Sequence, residues 1–264
     1  MGKEGARAGR TGVDRAGVDP AVLAASLVAM LLLWAVLAWA AQDPQRLPSP
    51  LRVAAVLAAE AAGGDLLRHV LATLGRVAWA FGLAMVAGGV LGVLLGLHPR
   101  LDRWADPWVV LALNVPALVV IVLAYLWFGL NEVAAIGAVA FNKAALVVVT
   151  LREGARTLDP ALAGMARVFR LSPWARLRHV LLPQLAPFVA AAARNGLAVI
   201  WKLVLVVEFL GRSDGVGFMI HLRFQLFDVA GVLAYAGAFV AVMLLVEYAL
   251  VQPVEGRARR WRAA

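Results

Sequence analysis

Four charged side chains lie inside apolar runs, where charge needs a reason: Lys143 beside Asn142, then Arg194, Lys202 and Glu208. A central Lys, Arg or Asp costs about 2.5–3.5 kcal/mol on membrane-insertion scales, so such residues mark either a polar path or a snorkelling position near a membrane surface. Arg194, Trp201 and Glu208 recur every seven residues, which places them on one helical face. About 21 Å separates the first from the last at 1.5 Å per residue, so they cannot pair within one helix. That face either lines a translocation path, with Lys143, Arg194 and Lys202 supplying a positive field for an anion, or simply sets Arg194 and Glu208 at the two interfaces. Arg76 and Glu247 are placed near interfaces. Asn114 and Pro116 interrupt another apolar run, where the proline is either a kink that shapes packing or a hinge for alternating access.

Other chemistries are excluded by what the chain lacks. There is no cysteine, which removes disulfides, thiolate metal sites and cysteine nucleophiles. The histidines, His69, His98, His179 and His221, are each at least 29 residues apart, so no local metal-ligand pair exists. A phosphate-binding loop needs a lysine after a glycine-rich turn, and Lys3, Lys143 and Lys202 follow none. Glu208, Asp228 and His221 are the groups available to an intramembrane enzyme, and they form no recognised motif.

The elements that carry these residues follow from composition. Of 264 residues, 63% are hydrophobic and 16% charged, with a mean hydropathy of +0.83. Soluble domains are about 45–50% apolar and 25% charged, so this chain spends most of its length in lipid. The expected architecture is an all-α polytopic membrane protein with six spans at about 21–41, 70–97, 104–128, 133–150, 186–210 and 229–251, a transmembrane domain over 21–252 between an N-terminal tail (1–20) and a basic C-terminal tail (253–264). The first apolar run is too long for a secretory signal core of 7–15 residues and is read as an uncleaved helix. An amphipathic piece from Leu51 to Ala62 suits an interfacial helix. Gly88, Gly92 and Gly96 line one face of the second span, where another helix can approach closely.

Charge sets the expected orientation. Sixteen of the 25 basic residues fall in the N-terminal tail, the 98–103 turn, the 151–185 segment and the C-terminal tail, against five in the alternate connections. That excess puts both termini in the cytoplasm. Arginines scattered between apolar runs are read as orienting the chain rather than binding nucleic acid.

Residues 151–185 form the most informative stretch. Asp159-Pro160 and Ser172-Pro173 each place a capping oxygen before a proline at the first helical position. Two short helices are predicted, about 160–170 and 173–181, the second ended by Leu182-Pro183. Leu162, Ala166 and Phe169 form one apolar stripe, Trp174, Leu177 and Leu181 the other, and arginines fill the remaining faces. Such a hairpin either lies on anionic lipid or docks on a protein.

This segment, from Glu153 to Pro183, resembles the cytoplasmic loop of the membrane subunits of bacterial ABC importers, in the branch serving nitrate, sulfonates and taurine. That loop reads Glu-Ala-Ala, three residues, Gly, and later Leu-Pro. Here Gly164 and Met165 stand where the motif has its glutamate and first alanine, Ala166 is kept, and Arg170 replaces the glycine that permits the turn between the two helices. Ser172-Pro173 is expected to make that turn instead. Leu47-Pro-Ser-Pro50, Asn114-Val-Pro-Ala117, Leu126-Trp-Phe-Gly129, Glu208-Phe-Leu-Gly211 and Gly215-Val-Gly217 are also similar to runs of that branch, in the same order.

The resemblance implies an inner-membrane permease subunit that moves a small anionic solute by alternating access. It further implies a separate ATPase carrying ATP and magnesium, a second permease copy or close relative, and an external binding protein. ATPase coupling would fall to Glu153, Leu162, Gly164, Ala166, Phe169, Arg170, Ser172, Pro173, Trp174, Leu177 and Pro183. The path would fall to Asn114, Pro116, Asn142, Lys143, Arg194, Trp201, Lys202 and Glu208. A self-sufficient secondary transporter or channel is the alternative; the chain shows no internal repeat of the kind such proteins carry, and the hairpin would have no evident use there.

Overall fold

The structure, a computed structural model, describes residues 20–246. The expected tails, but for Pro20, and the end of the sixth span beyond residue 246 lie outside the described residues. Those that are described form helices joined by short turns, with no strand among them. In order they are α1 (Pro20–Ala41), α2 (Pro50–Gly63), α3 (Asp65–Leu97), α4 (Pro99–Asn114), α5 (Ala117–Phe128), α6 (Glu132–Arg156), α7 (Pro160–Val168), α8 (Pro173–Arg176), a π-helical turn (Leu177–Leu181), α9 (Leu182–Gly211), α10 (Val216–Gln225) and α11 (Val229–Val246).

Local chemistry starts these helices where the sequence places caps. Ser49 Oγ accepts from the Arg52 N–H at 3.3 Å, Asn131 Oδ1 from Ala134 at 2.9 Å, Asp159 Oδ1 from Ala161 at 2.7 Å and Ser172 Oγ from Ala175 at 3.2 Å. Prolines occupy the first turns that follow Ser49, Asp159 and Ser172, where a missing N–H costs nothing.

The core is the pair α3 and α6, held close by glycines. A Cβ at Gly88 would lie 2.7 Å from Ala144 O, one at Gly92 2.6 Å from Val148 O, and one at Gly96 2.5 Å from Ala155 Cβ. Ala80 and Ala84, fully buried, continue the same stripe of small residues. Contacts advance together along both helices, so α3 and α6 are parallel. An odd number of crossings must separate them, and α4 with α5 supplies it. By contrast α9 runs antiparallel to α6, with Lys143 against Asn195 and Gly154 against Phe188.

Three expectations need correction. The third span is not one helix: α4 and α5 meet at 95° across Val115-Pro116. Pro116 has no N–H to give to Ala112, and α5 restarts on Pro116 O, which accepts from Val119 at 3.0 Å. Nor does Leu182-Pro183 end the second short helix, because one continuous helix runs from Pro173 to Gly211. The π turn just before Pro183 widens the ladder, with Leu182 N–H reaching back to Leu177 O, and so accommodates the ring that would clash in a regular α-helix. Finally α10 lies in the connection between the fifth and sixth spans, where no helix was expected.

Candidate functional site

Exposed apolar or charged groups and buried ion pairs gather at several places on this scaffold. The first is the hairpin of α7 and α8. Ala166 alone of the expected stripe is buried, while Val168, Phe169 and Trp174 are 79%, 72% and 65% exposed. Leu162 and Leu177 are also exposed, and Gly164 is half-buried with open space around it. The turn differs from expectation. Arg170 itself adopts φ +50°, with Leu171 N–H donating to Ala166 O at 3.0 Å and Arg170 N–H to Arg167 O at 3.1 Å. That is a Schellman C-cap with arginine at the left-handed position glycine usually holds. Ser172 and Pro173 start the next helix rather than making the turn.

Glu153 sits apart from this tip. On α6 it pairs with Arg156 at 2.7 Å, beside a cluster in which Arg152 Nη1 donates to Asp102 Oδ1 (3.1 Å) and Asp106 Oδ1 (2.6 Å), and Arg156 also meets Asp102. These pairs tie α4 to the end of α6. Between that end and the hairpin lies a cleft of about 330 Å³, its lining including Gly96, Ala155, Arg176 and Gln184. Pro183 is exposed on α9 beside it.

The second place is α9. Arg194 and Lys202 are exposed on one face, eight residues apart, in the middle of an apolar helix. Trp201 and Glu208, expected on the face of Arg194, are buried instead. An ideal helix drifts about 20° per seven residues, and Arg194 stands at the edge of the exposed face, so Trp201 and Glu208 pass over that edge into the bundle. Lys143 is buried too, its Nζ donating to Asn195 O at 3.1 Å, while its neighbour Asn142 is half-buried. In this conformation Lys143, Trp201 and Glu208 therefore line no open surface. Asn114 and Pro116 are exposed at the break, with Asn114 Nδ2 donating to Val110 O at 2.7 Å.

The third place went unread in the sequence. At the end of the bundle away from α7, Arg76 Nη1 donates to Glu208 Oε1 at 2.7 Å, and its Nε and Nη2 grip Glu132 at 2.9 and 2.6 Å. Its fork also meets Asp214, and Arg212 Nη2 joins Glu132 at 2.7 Å. Glu208 Oε2 accepts from Gly217 N–H at 2.8 Å and from Thr73 Oγ1 at 3.0 Å. A Cβ at Gly215, where φ is +104°, would lie 2.3 Å from Glu208 Cδ, and one at Gly217 2.3 Å from Leu205 O. The two glycines thus let the start of α10 close over the carboxylate. Burial alone would raise the Asp214 carboxyl, but Arg76 and Arg212 hold it below the usual aspartate range. The available signal was one arginine in the second span and one acid in the fifth, each needing the other.

Comparison with known proteins places this geometry. Residues 84–260 match the family described as "Binding-protein-dependent transport system inner membrane component". The chain is 30% identical to the putative aliphatic sulfonates transport permease protein SsuC of Bacillus subtilis (strain 168), covering 82% of this chain and 78% of that one. It is 27% identical to the taurine transport system permease protein TauC of Escherichia coli (strain K12), covering 70% and 67%. Among solved structures, an inward-facing form of the MetNI methionine ABC transporter superposes with a TM-score of 0.64 at 18% identity, over 75% of this chain and 98% of that one.

Proposed function

The chain belongs to the family of binding-protein-dependent transport inner-membrane components, and from that premise we propose how it works as the permease subunit of an ABC importer. The hairpin end of the bundle faces the cytoplasm, as the excess of basic residues there favours, and both termini lie on that side. A separate ATPase binds the hairpin and supplies hydrolysis of magnesium-bound ATP. Two copies of the permease, or this chain and a close relative, enclose the path, and an external binding protein delivers the solute.

The observation that carries the coupling assignment is the length of the helix leading out of the hairpin. Phe188 lies level with Gly154 near the end of α6, and Trp174 precedes Phe188 by fourteen residues. At 1.5 Å per residue that helical path is about 21 Å long. Bare Phe169 and Trp174 on its tip call for a protein partner. When the ATPases close, they would push on α7 and α8, and the helix out of the hairpin would carry that displacement along α9.

For the path, the exposed cations Arg194 and Lys202 replace the buried Lys143 as the groups that meet the solute. A charge at mid-membrane depth is stable only in water or against protein, so this face of α9 turns toward a path between the two copies. A positive lining suits an anion. The relatives named for aliphatic sulfonates and taurine handle solutes that carry a sulfonate, and a small sulfonate or comparable oxyanion is the proposed cargo. The test is reconstitution with the co-expressed ATPase and binding protein in vesicles. ATP-dependent uptake of a radiolabelled alkanesulfonate or taurine is expected, and uptake without ATP or ATPase would return the chain to the secondary-transporter reading.

A further inference from the structure

The hairpin has a one-sided charge. From Pro160 to Leu182 there is no aspartate or glutamate, while Arg167, Arg170, Arg176 and Arg178 are all exposed, as is His179. These surround the bare apolar tip of Val168, Phe169 and Trp174. The motif's glutamate position is Gly164, so the negative charge that the resembling loops carry there is absent, and the motif's glycine position is Arg170, so a positive charge has been added. Arg170 holds a left-handed conformation that a glycine would adopt without steric cost. Its backbone does nothing that glycine would not do, so what the side chain adds is charge and reach at the tip.

We infer that the ATPase cleft receiving this hairpin is acidic, with an apolar floor for Phe169 and Trp174 and carboxylates on its rim that face Arg167, Arg170, Arg176 and Arg178. The inference rests on the docking reading above and adds the chemistry of the partner surface. Complementary potential of this kind governs partner choice and encounter rate, and like charges set face to face are strongly disfavoured. An ATPase whose cleft has a basic rim, suited to a glutamate-bearing loop, would therefore be rejected by this permease. Anionic lipid is the competing counter-charge, and binding measured in neutral against anionic nanodiscs separates it from an acidic protein cleft.

The experiment uses the full-length permease in nanodiscs of neutral lipid and measures affinity for its co-expressed ATPase as sodium chloride rises from about 50 to about 500 mM, a range over which the screening length shortens severalfold. Wild-type affinity should fall steeply. Arg167→Glu/Arg170→Glu should weaken binding at least about tenfold at low salt and flatten the salt dependence. Arg170→Gly removes the charge while favouring the same turn, so its expected loss of about threefold has no folding explanation. Phe169→Ala serves as the control for docking itself. If Phe169→Ala releases the ATPase while both charge variants bind as wild type, the acidic cleft is wrong and the docking reading stands. If all three variants retain the ATPase, both fall. If the charge variants differ from wild type only in nanodiscs containing anionic lipid, the basic face belongs to the bilayer and the acidic cleft is overturned.

Discussion

Replacing Glu208 by leucine tests whether the buried cluster at the far end of the bundle clamps three helices together. The carboxylate is fully buried and accepts from Arg76, Thr73 and the Gly217 N–H. Breaking a buried ion pair from one side costs about 3–5 kcal/mol because the remaining charge is uncompensated. Here Arg76 keeps Glu132 and Asp214, which puts the loss at the lower end. The stranded Gly217 N–H adds about 1–3 kcal/mol, for a total near 4 kcal/mol. For a chain of this size that lowers the melting temperature by roughly 10 °C. The assay is thermal unfolding in detergent, followed by intrinsic fluorescence from the nine tryptophans. A second variant makes the test sharp. Arg76→Leu/Glu208→Leu removes both charges, and the carboxylates left behind, Glu132 and Asp214, are 46% and 40% exposed and can turn to water. The double variant should therefore lose about 2 kcal/mol less than the sum of its single variants. Strict additivity, with Glu208→Leu melting within about 2 °C of wild type, would refute the clamp.

Lys202→Met should reduce ATP-dependent uptake at least about tenfold with assembly and basal hydrolysis intact, whereas Lys143→Met, which replaces a buried ammonium bound to a carbonyl, should leave the melting temperature equal or higher; the reverse pattern of uptake would move the path back to Lys143. Gly92→Leu must drive a side chain against Val148 O and should abolish accumulation of folded protein, while Gly89→Leu, with open space at its Cβ, should not; quantifying membrane-inserted, detergent-stable protein separates them. Asp214 titrates below its unfolded value, so its contribution to stability is complete above about pH 4 and is lost as pH falls through the lowered folded value; melting temperature should drop over that acid range, and less so in Asp214→Asn.

What the sequence made legible and what it hid divide along physical lines. Span number, the close-packed face of Gly88, Gly92 and Gly96, and the capped starts at Pro160 and Pro173 all follow from local terms: hydropathy, the absence of a Cβ, and a hydroxyl or carboxylate placed before a proline. The packed face and the capped starts survive unchanged because nothing elsewhere in the chain opposes them, while six spans are reached only with the bent α4–α5 pair counted as one. The errors arise where two local signals compete or where a partner is distant. Pro116 and Pro183 look alike in sequence, yet one breaks its helix at 95° and the other is absorbed, because a π turn precedes Pro183 and nothing similar precedes Pro116. A face read from a seven-residue repeat put Arg194, Trp201 and Glu208 together, but an α-helix does not repeat every seven residues, and the drift decides which side of the buried edge each falls on.

The clamp of Arg76 and Glu208 could not be seen along the chain because its members are 132 residues apart. Its sequence trace is still specific. A charge deep in an apolar span is costly alone, so one arginine and one glutamate, each in a span and each near the same end by the alternation of crossings, were candidates for each other. The glycines at 215 and 217 complete the reading, since their Cβ atoms would collide with Glu208 and with the α9 carbonyl at Leu205. The same reasoning narrows the candidate path residues. Glu208, Trp201 and Lys143 are buried inside the bundle, whereas Arg194 and Lys202 on α9 and the broken backbone at Asn114-Val-Pro116 are exposed. Irregular backbone and exposed cations are tolerated at membrane depth only against water or protein. The proposed path therefore draws on these exposed features rather than on Lys143.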